Sequence, residues 1–554
     1  MKLVLVETPA QARRVRDALG DGWRVEPCYG FVRDLPADQL GADPDNDFCP
    51  TFTIVPGKGH LVRRLMKALR DCEAVYAATP PTREGEAMAY HLLALSPDAK
   101  DKPVYRVTLT ALAPEAIRAA LAAPRPLNLA QIEAHVAERT LDRLLGWSVN
   151  TAARQALGFP TQLSSAGLLA LRLLTDRAAR MAAFTPTRQW RATVTFTADG
   201  LPFTALVLNP EGRPLPLQTD RQAAQLEALL KRGHFWVNQT GQALKTQPAP
   251  TPLTLPRLLE HAVRTLHLPP KRALQLVNTL YDAGWITTPD AAVSPALQAA
   301  AETYIRREFG TEYLEADRPA ATGFMPTDVS RQPEALPGVG AAIYALIWQH
   351  FIAAHMAAAQ TKLLGATLLV GKAPGQPYPL ELRTLAALRY FEGWQRLLPT
   401  DFSDSVLPIL TRGQPLRPEQ VTVERLSSPP PALYDEAELV STLIACGLPI
   451  KQVVEVVDQL RNGGYIADET ALSLTDVGRM VANYLSANFG ELIAPAFARE
   501  RAAELEHIAS GERQRAEILR AFWQRFGEVL RPTPVMHVTT ADRKPIILRL
   551  AEEI

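Results

Sequence analysis

Cysteine is scarce in this 554-residue chain. Only Cys28, Cys49, Cys72 and Cys446 are present, and no two form a CxxC pair. That speaks against a zinc ribbon and against a disulfide framework, and suits a reducing cytoplasm. Long apolar runs are missing as well. The N-terminal Leu3-Val4-Leu5-Val6 stops at Glu7, too short for a signal-peptide core. No stretch approaches the ~18 continuous apolar residues of a membrane span. An excess of one charge is also lacking, since 59 Lys and Arg face 58 Asp and Glu for a net charge of +1. Nucleic acid would therefore need a local basic groove, because the chain has no global positive field. A soluble, cytoplasmic protein with no membrane partner is expected.

What the chain does have is ordinary globular composition, 47% hydrophobic and 21% charged, and length for several domains. The first ~120 residues alternate short β-branched runs with helical patterns, the signature of an α/β sheet. Leu3 to Val6 reads as a buried strand and Pro9 to Leu19 as the helix after it. Ala74 to Thr79 and Glu84 to Leu95 repeat that pair. Pro124 and Pro126 punctuate a boundary, and a helical pattern runs on to Ala183. The period changes to two around Trp190–Phe196, with strands to Val237. A proline-rich linker at Pro248–Pro256 opens a helical block ending near Leu364. Strands return from Ala366 to Val423, and Pro429-Pro430-Pro431 introduces the last helices. A strand-rich stretch on each side of a helical excursion suggests one β domain made from two separated segments.

Several short motifs occur in a fixed order. Val6-Glu7-Thr8-Pro9-Ala10 is similar to VESPA, and Gly30–Pro36 to GHIRDLP. Ala78-Thr79-Pro80-Pro81-Thr82-Arg83-Glu84-Gly85-Glu86-Ala87 is similar to ATDPDREGEA. Further on, Arg139–Gly146 resembles RRxLDRLxG and Leu163–Gly167 the start of LSAGRVQ. Leu280–Thr287 resembles LYEGGYIT, and Ile343–Phe351 resembles IYxLIWxRF. Pro430–Val440 resembles PPPRYSEASLV, and Leu474–Gly478 resembles LTPTDxG. Together, from Val6 to Gly478, they resemble the type IA DNA topoisomerases, the bacterial topoisomerase I branch above all.

The resemblance implies an α/β + α + β multidomain fold: a toprim domain plus the toroidal type IA core. Its domains would be 1–123 (toprim-like); 124–183 with 432–531 (helical, lining a single-strand groove); 184–248 with 362–431 (β-rich arch); and 249–361 (helical, carrying the nucleophile). A short tail, 532–554, would lack the zinc ribbons or basic extensions that often follow this core.

Strand passage in such a fold needs a tyrosine to attack phosphorus, a cation beside the phosphate, and acids that hold Mg²⁺. The family's ITYxRTDS reads Ile286-Thr287-Thr288-Pro289-Asp290 here, so Thr288 stands at the nucleophile position and Asp290 at the arginine position. Tyr281, Tyr304 and Tyr313 match structural positions and are not spare. Of the metal acids DxDxE only Glu84 survives, with Pro80 and Thr82 at the other two positions; Glu7 also survives. Segments 168–170, 321–327, 433 and 447–454 likewise carry fewer cations than the family pattern. Loss of a nucleophile costs on the order of 10⁶ in rate where measured. The expectation is a pseudoenzyme, not an enzyme, with no cofactor beyond a weak Mg²⁺ site at Glu7 and Glu84.

Arg33, Lys58, Arg139, Arg143 and Ser165 remain as candidate DNA-binding residues. Arg139 and Arg143 share one helical face at i,i+4, facing either DNA or a structural Arg–Asp network. Trp147, Trp190 and Trp285 are stacking candidates, although each fits a core position better. His350 and His355, five apart, lack the spacing of a helical metal pair. The expected partner is DNA, single-stranded above all, and then other DNA-processing proteins that it would accompany. The runner-up is a protein-interaction scaffold without DNA binding; an active enzyme with a displaced nucleophile is the third reading.

Overall fold

The computed structural model describes residues 1–96, 102–315, 322–467 and 471–531, with the backbone of two short strands at 537–539 and 545–547. Ala321 and the tail 532–554, apart from those two strands, lie outside the described residues.

The chain opens with β1 (Lys2–Val6), α1 (Pro9–Leu19), β2 (Trp23–Pro27), β3 (Arg33–Asp34), β4 (Thr53–Ile54) and α2 (Gly59–Asp71). Next come β5 (Ala74–Ala77), α3 (Arg83–Leu93), β6 (Val104–Arg106) and α4 (Pro114–Ala122). A parallel sheet runs β2-β1-β5-β6. As a central parallel strand, β1 is covered on both faces, which is why it reads as an unbroken apolar run. Leu3 and Leu5 enter one core and Val4 and Val6 another. Thr8 caps α1 in a capping box with Gln11, and Pro9 sits in its first turn.

Two long helices follow, α5 (Leu129–Leu157) and α6 (Ser165–Ala182). The arch then begins with β7 (Arg188–Ala198), β8 (Leu201–Leu208), α7 (Asp220–Arg232) and β9 (His234–Gln247). An excursion of α8 (Leu255–Leu266), α9 (Pro270–Asp282), α10 (Pro295–Glu308) and α11 (Gly340–Ala353) leaves it. The chain returns as β10 (Ala359–Gly371), β11 (Pro377–Phe391), β12 (Pro415–Leu416) and β13 (Pro418–Ser427). It then runs through α12 (Glu436–Ala445), α13 (Ile450–Asn462), α14 (Asp476–Phe489), α15 (Pro495–Ala509) and α16 (Arg515–Leu530) to a hairpin of β14 (His537–Thr539) and β15 (Pro545–Ile547).

The seven-stranded antiparallel sheet has the order β12-β9-β10-β11-β8-β7-β13. Its neighbours β9 and β10 are joined only through the four-helix excursion. One core joins α5 and α6 with residues 434–530; a second fills the excursion and a third the arch.

Two local differences from the sequence reading have physical causes. Strand β10 starts at Ala359, although His355–Leu364 carries helix formers, because β9 and β11 pair with it on both sides. Helix α7 interrupts the strands before Val237; its Thr219–Gln222 capping box is a local signal. Helix α11 is buried as its apolar composition requires, and His350 is satisfied by the carbonyl of Leu346. No helix of the described residues is long and apolar enough to cross a membrane.

Candidate active site

The carboxyl of Glu7, at the C-terminal end of β1, is a meeting point of the chain. Burial is the main force raising its pKa, and the fields of Asp282 and Glu84 push the same way. Lys451 and Lys58 offset part of that rise. Glu84 lies in the first turn of α3, Asp282 ends α9, Lys58 caps α2, and Lys451 opens α13. Residues far apart in sequence therefore surround one carboxyl at the ends of parallel strands, where α/β sheets place ligands.

The segment after α9 is fastened onto the sheet. Thr8 Oγ1 and Gln11 Nε2 each donate to Asp282 at 2.9 Å, and Arg14 donates to the carbonyl of Ala283. The Tyr281 hydroxyl donates to Leu109 O at 2.7 Å, and the Thr288 amide donates to Thr110 O at 2.8 Å. The neutral bonds among these contribute about 0.5–1.5 kcal/mol each and those to the Asp282 carboxylate about 1.5–3 kcal/mol. Thr288 itself is 8% exposed, and its Oγ1 is buried with no hydrogen-bond partner among the described residues. Asp290 is exposed.

The loop at Pro80–Thr82 is committed to the fold. The Thr82 hydroxyl accepts from Gly85 N to cap α3, and Pro80 O accepts from Arg106 Nη2. Gly85 leaves no room for a side chain, since a Cβ there would lie 1.8 Å from Pro80 O. Among the described residues no three His, Cys, Asp or Glu side chains are grouped to hold a metal ion. The donor set at Glu7 and Glu84 therefore does not fit an ion held by protein ligands alone.

The DNA-binding candidates fall into three places. Lys58 is at Glu7, where its Nζ donates to the carbonyls of Tyr29 and Phe31 at 2.6 and 2.7 Å. Arg33 lies against His91 and the Phe52 ring, beside Arg139, whose Nη2 reaches both oxygens of Asp34 at 2.9 Å. Arg143 donates to the carbonyls of Pro36 and Gln39. Both α5 arginines thus contact the 34–39 loop. Ser165 Oγ donates to Asp142 at 2.7 Å, and Arg501 completes a buried pair with the same aspartate at 3.1 Å. Trp285 packs edge-on against Tyr344 under Arg331; Trp190 is half-buried and Trp147 is 37% exposed.

Lys451, Arg501 and Asp282 were not singled out from sequence. Lys451 lies in the 447–454 segment, which reads as depleted of cations although it keeps this one.

Glu138 on α5 is a further unforeseen group. Burial, then the field of Asp142, raises its pKa to about 7, against the pull of Arg83 and Arg501. From its ordinary 4.5 up to about 7 the folded state keeps a proton that the unfolded state loses, so stability falls as pH rises through that window. Glu138→Gln should therefore be more stable than wild type at pH 8, by about 1–3 kcal/mol, and near parity at pH 4.5. Thermal unfolding at the two pH values measures the gap; an equal gap at both would contradict the assignment.

Comparison with known proteins decides the family. The DNA topoisomerase family model matches residues 126–520, and the Toprim domain model matches residues 2–112. The chain belongs to the type IA DNA topoisomerase family. It is 30% identical to DNA topoisomerase 1 of Zymomonas mobilis across 98% of its own length, and spans 47% of that relative. Its fold is that of full-length topoisomerase I from Thermotoga maritima, with TM-score 0.82 and 24% identity over 98% of this chain and 93% of the other.

These relatives point to an active topoisomerase and overturn the expectation of a pseudoenzyme that is not an enzyme. The physical reason lies in what a substitution can and cannot remove. Thr288 still brings a hydroxyl to the position, with no hydrogen-bond partner among the described residues, and Glu84, Lys58 and Lys451 still lie within electrostatic reach of Glu7. Degenerate motif letters did not by themselves measure activity.

Proposed function

We propose that this chain is a DNA topoisomerase that works on single strands, using Thr288 as its nucleophile. The observation that carries the reading is the buried, unpartnered Thr288 Oγ1, held by its amide against Thr110 at the ends of the parallel strands. Buried polar atoms without partners are rare and often functional.

In this reading the closure around Asp282 loosens and a DNA phosphate reaches Thr288. The hydroxyl oxygen attacks phosphorus, the bond to the leaving sugar oxygen breaks, and a threonine phosphoester forms. Glu7, with its raised pKa, is the group assigned to take the hydroxyl proton and pass it to the leaving sugar oxygen, reversing both transfers on religation. The leaving oxygen later attacks the phosphoester and restores both the strand and Thr288. An alkoxide leaves less readily than a phenoxide, so the second step is slow. Lys58 and Lys451 supply positive charge for the phosphate.

Binding of a fluorescent single-stranded oligonucleotide across a salt series tests the DNA half of this reading. Micromolar or tighter binding that weakens with salt, and weakens further in Lys451→Ala, is expected. No binding at low salt would sink it.

A further inference from the structure

A tyrosine outside every matched catalytic position sits directly beside Glu7. Tyr29 follows β2, and its amide donates to the carbonyl of Glu7 at 2.8 Å. Its own carbonyl accepts from Lys58 Nζ at 2.6 Å. The residue is 51% exposed, and its ring stacks on no other aromatic among the described residues. Its backbone is left-handed, with φ at 55°, a region that a bulky side chain rarely adopts. Gly30, the next residue, is also left-handed at 81°. The chain thus holds a large aromatic ring in water, at a cost in stability, at the rim of a site that also carries two lysines. Strain of this kind persists where surrounding structure over-determines it, and it gathers at ligand-binding places.

Aromatic rings beside cations are how sequence-tolerant single-strand sites are built. The cations take the phosphates, while the ring takes the face of an unpaired base. Lys58 has one of its three donors left after the two carbonyls, and Lys451 is exposed. Tyr90, Trp147 and Tyr390 are also exposed aromatics, but none has its backbone bonded to both Glu7 and Lys58.

We propose that Tyr29 is a base-stacking platform, taking one unpaired nucleobase of a single strand whose adjoining phosphate lies at Lys58 and Lys451. This rests on the reading that the chain binds single-stranded DNA. A base within a duplex offers no free face, so the platform also selects against double-stranded DNA at this point.

Three probes test the proposal on the full chain: a short fluorescent single strand, the same strand made abasic at every position, and the matching duplex. Tyr29→Ala should weaken single-strand binding by about tenfold or more. It should leave binding to the abasic strand and to the duplex within about twofold of wild type. Tyr29→Phe, which keeps the ring and loses only the hydroxyl, should bind like wild type. Tyr29→Gly removes the left-handed strain, so it should unfold at a higher temperature than wild type while losing the same affinity as Tyr29→Ala. If wild type binds the single strand and Tyr29→Ala binds it equally well, the platform is wrong while the DNA-binding reading stands. A loss of equal size on the abasic strand, or a loss in Tyr29→Phe, also overturns it. If wild type itself binds none of the probes, the DNA-binding reading has failed.

Discussion

Glu86→Ala should lower the unfolding free energy by about 3–5 kcal/mol, because it strands a buried guanidinium. Arg106 is fully buried, and its Nε donates to Glu86 Oε1 at 2.9 Å. The same carboxylate accepts from Arg125 and, through Oε2, from the amide of Asn128 at 3.1 Å. Burial alone would push the Glu86 pKa up, but the hydrogen bonds from Arg125 and Asn128 and the arginine charges outweigh it and hold it down. One carboxylate therefore joins β6 to the segment that leads into α5, so the defect should loosen the toprim part against the helices. The usual pair effect at a surface is under about 1 kcal/mol; burial makes the difference here. Denaturant unfolding of the variant measures it, and a loss under about 1 kcal/mol would contradict the account. Since the folded pKa is depressed, this stability should drain away as pH falls through the carboxylate range.

Thr288→Ala should reduce DNA relaxation to background, the largest functional effect expected of any single substitution. Thr288 Oγ1 has no hydrogen bond among the described residues to lose, and the substitution removes only that oxygen and Cγ2. The variant should therefore fold as wild type does and still bind the single strand. Asp290→Arg should act in the opposite direction. It exchanges an exposed negative charge for a cation two residues from the nucleophile, and a single charge-stabilising donor is worth about tenfold or more in rate. A gel of plasmid topoisomers reads both. Equal relaxation by Thr288→Ala and wild type would remove Thr288 from the chemistry.

Much of the fold is local and therefore legible. The Leu3–Val6 run, Pro9 after Thr8, and the change of period near Trp190 follow from burial on two faces, capping and pleating. The start of β10 was not legible, since the partners that impose it lie more than a hundred residues upstream in β9 and just downstream in β11. At the site, Glu7 and Glu84 could be picked out because each stands in a motif similar to the family's, just after β1 and at the start of α3. Asp282 and Lys451 could not, because only tertiary contact brings α9 and α13 to β1. Arg139 and Arg143 illustrate a different limit. Their i,i+4 spacing fixed a shared face, and only the packed structure shows Asp34 and the 35–39 loop filling it. Activity was the poorest inference of all. Counting altered motif letters treated Thr288 as a loss and ranked an active enzyme last, because a threonine alkoxide leaves less readily than a phenoxide.

The most direct measurement is relaxation of a negatively supercoiled plasmid by the wild-type chain in magnesium buffer, with binding followed on the same samples. The account predicts a slow ladder of partly relaxed topoisomers, absent with Thr288→Ala. A plasmid that is bound yet stays fully supercoiled would contradict it.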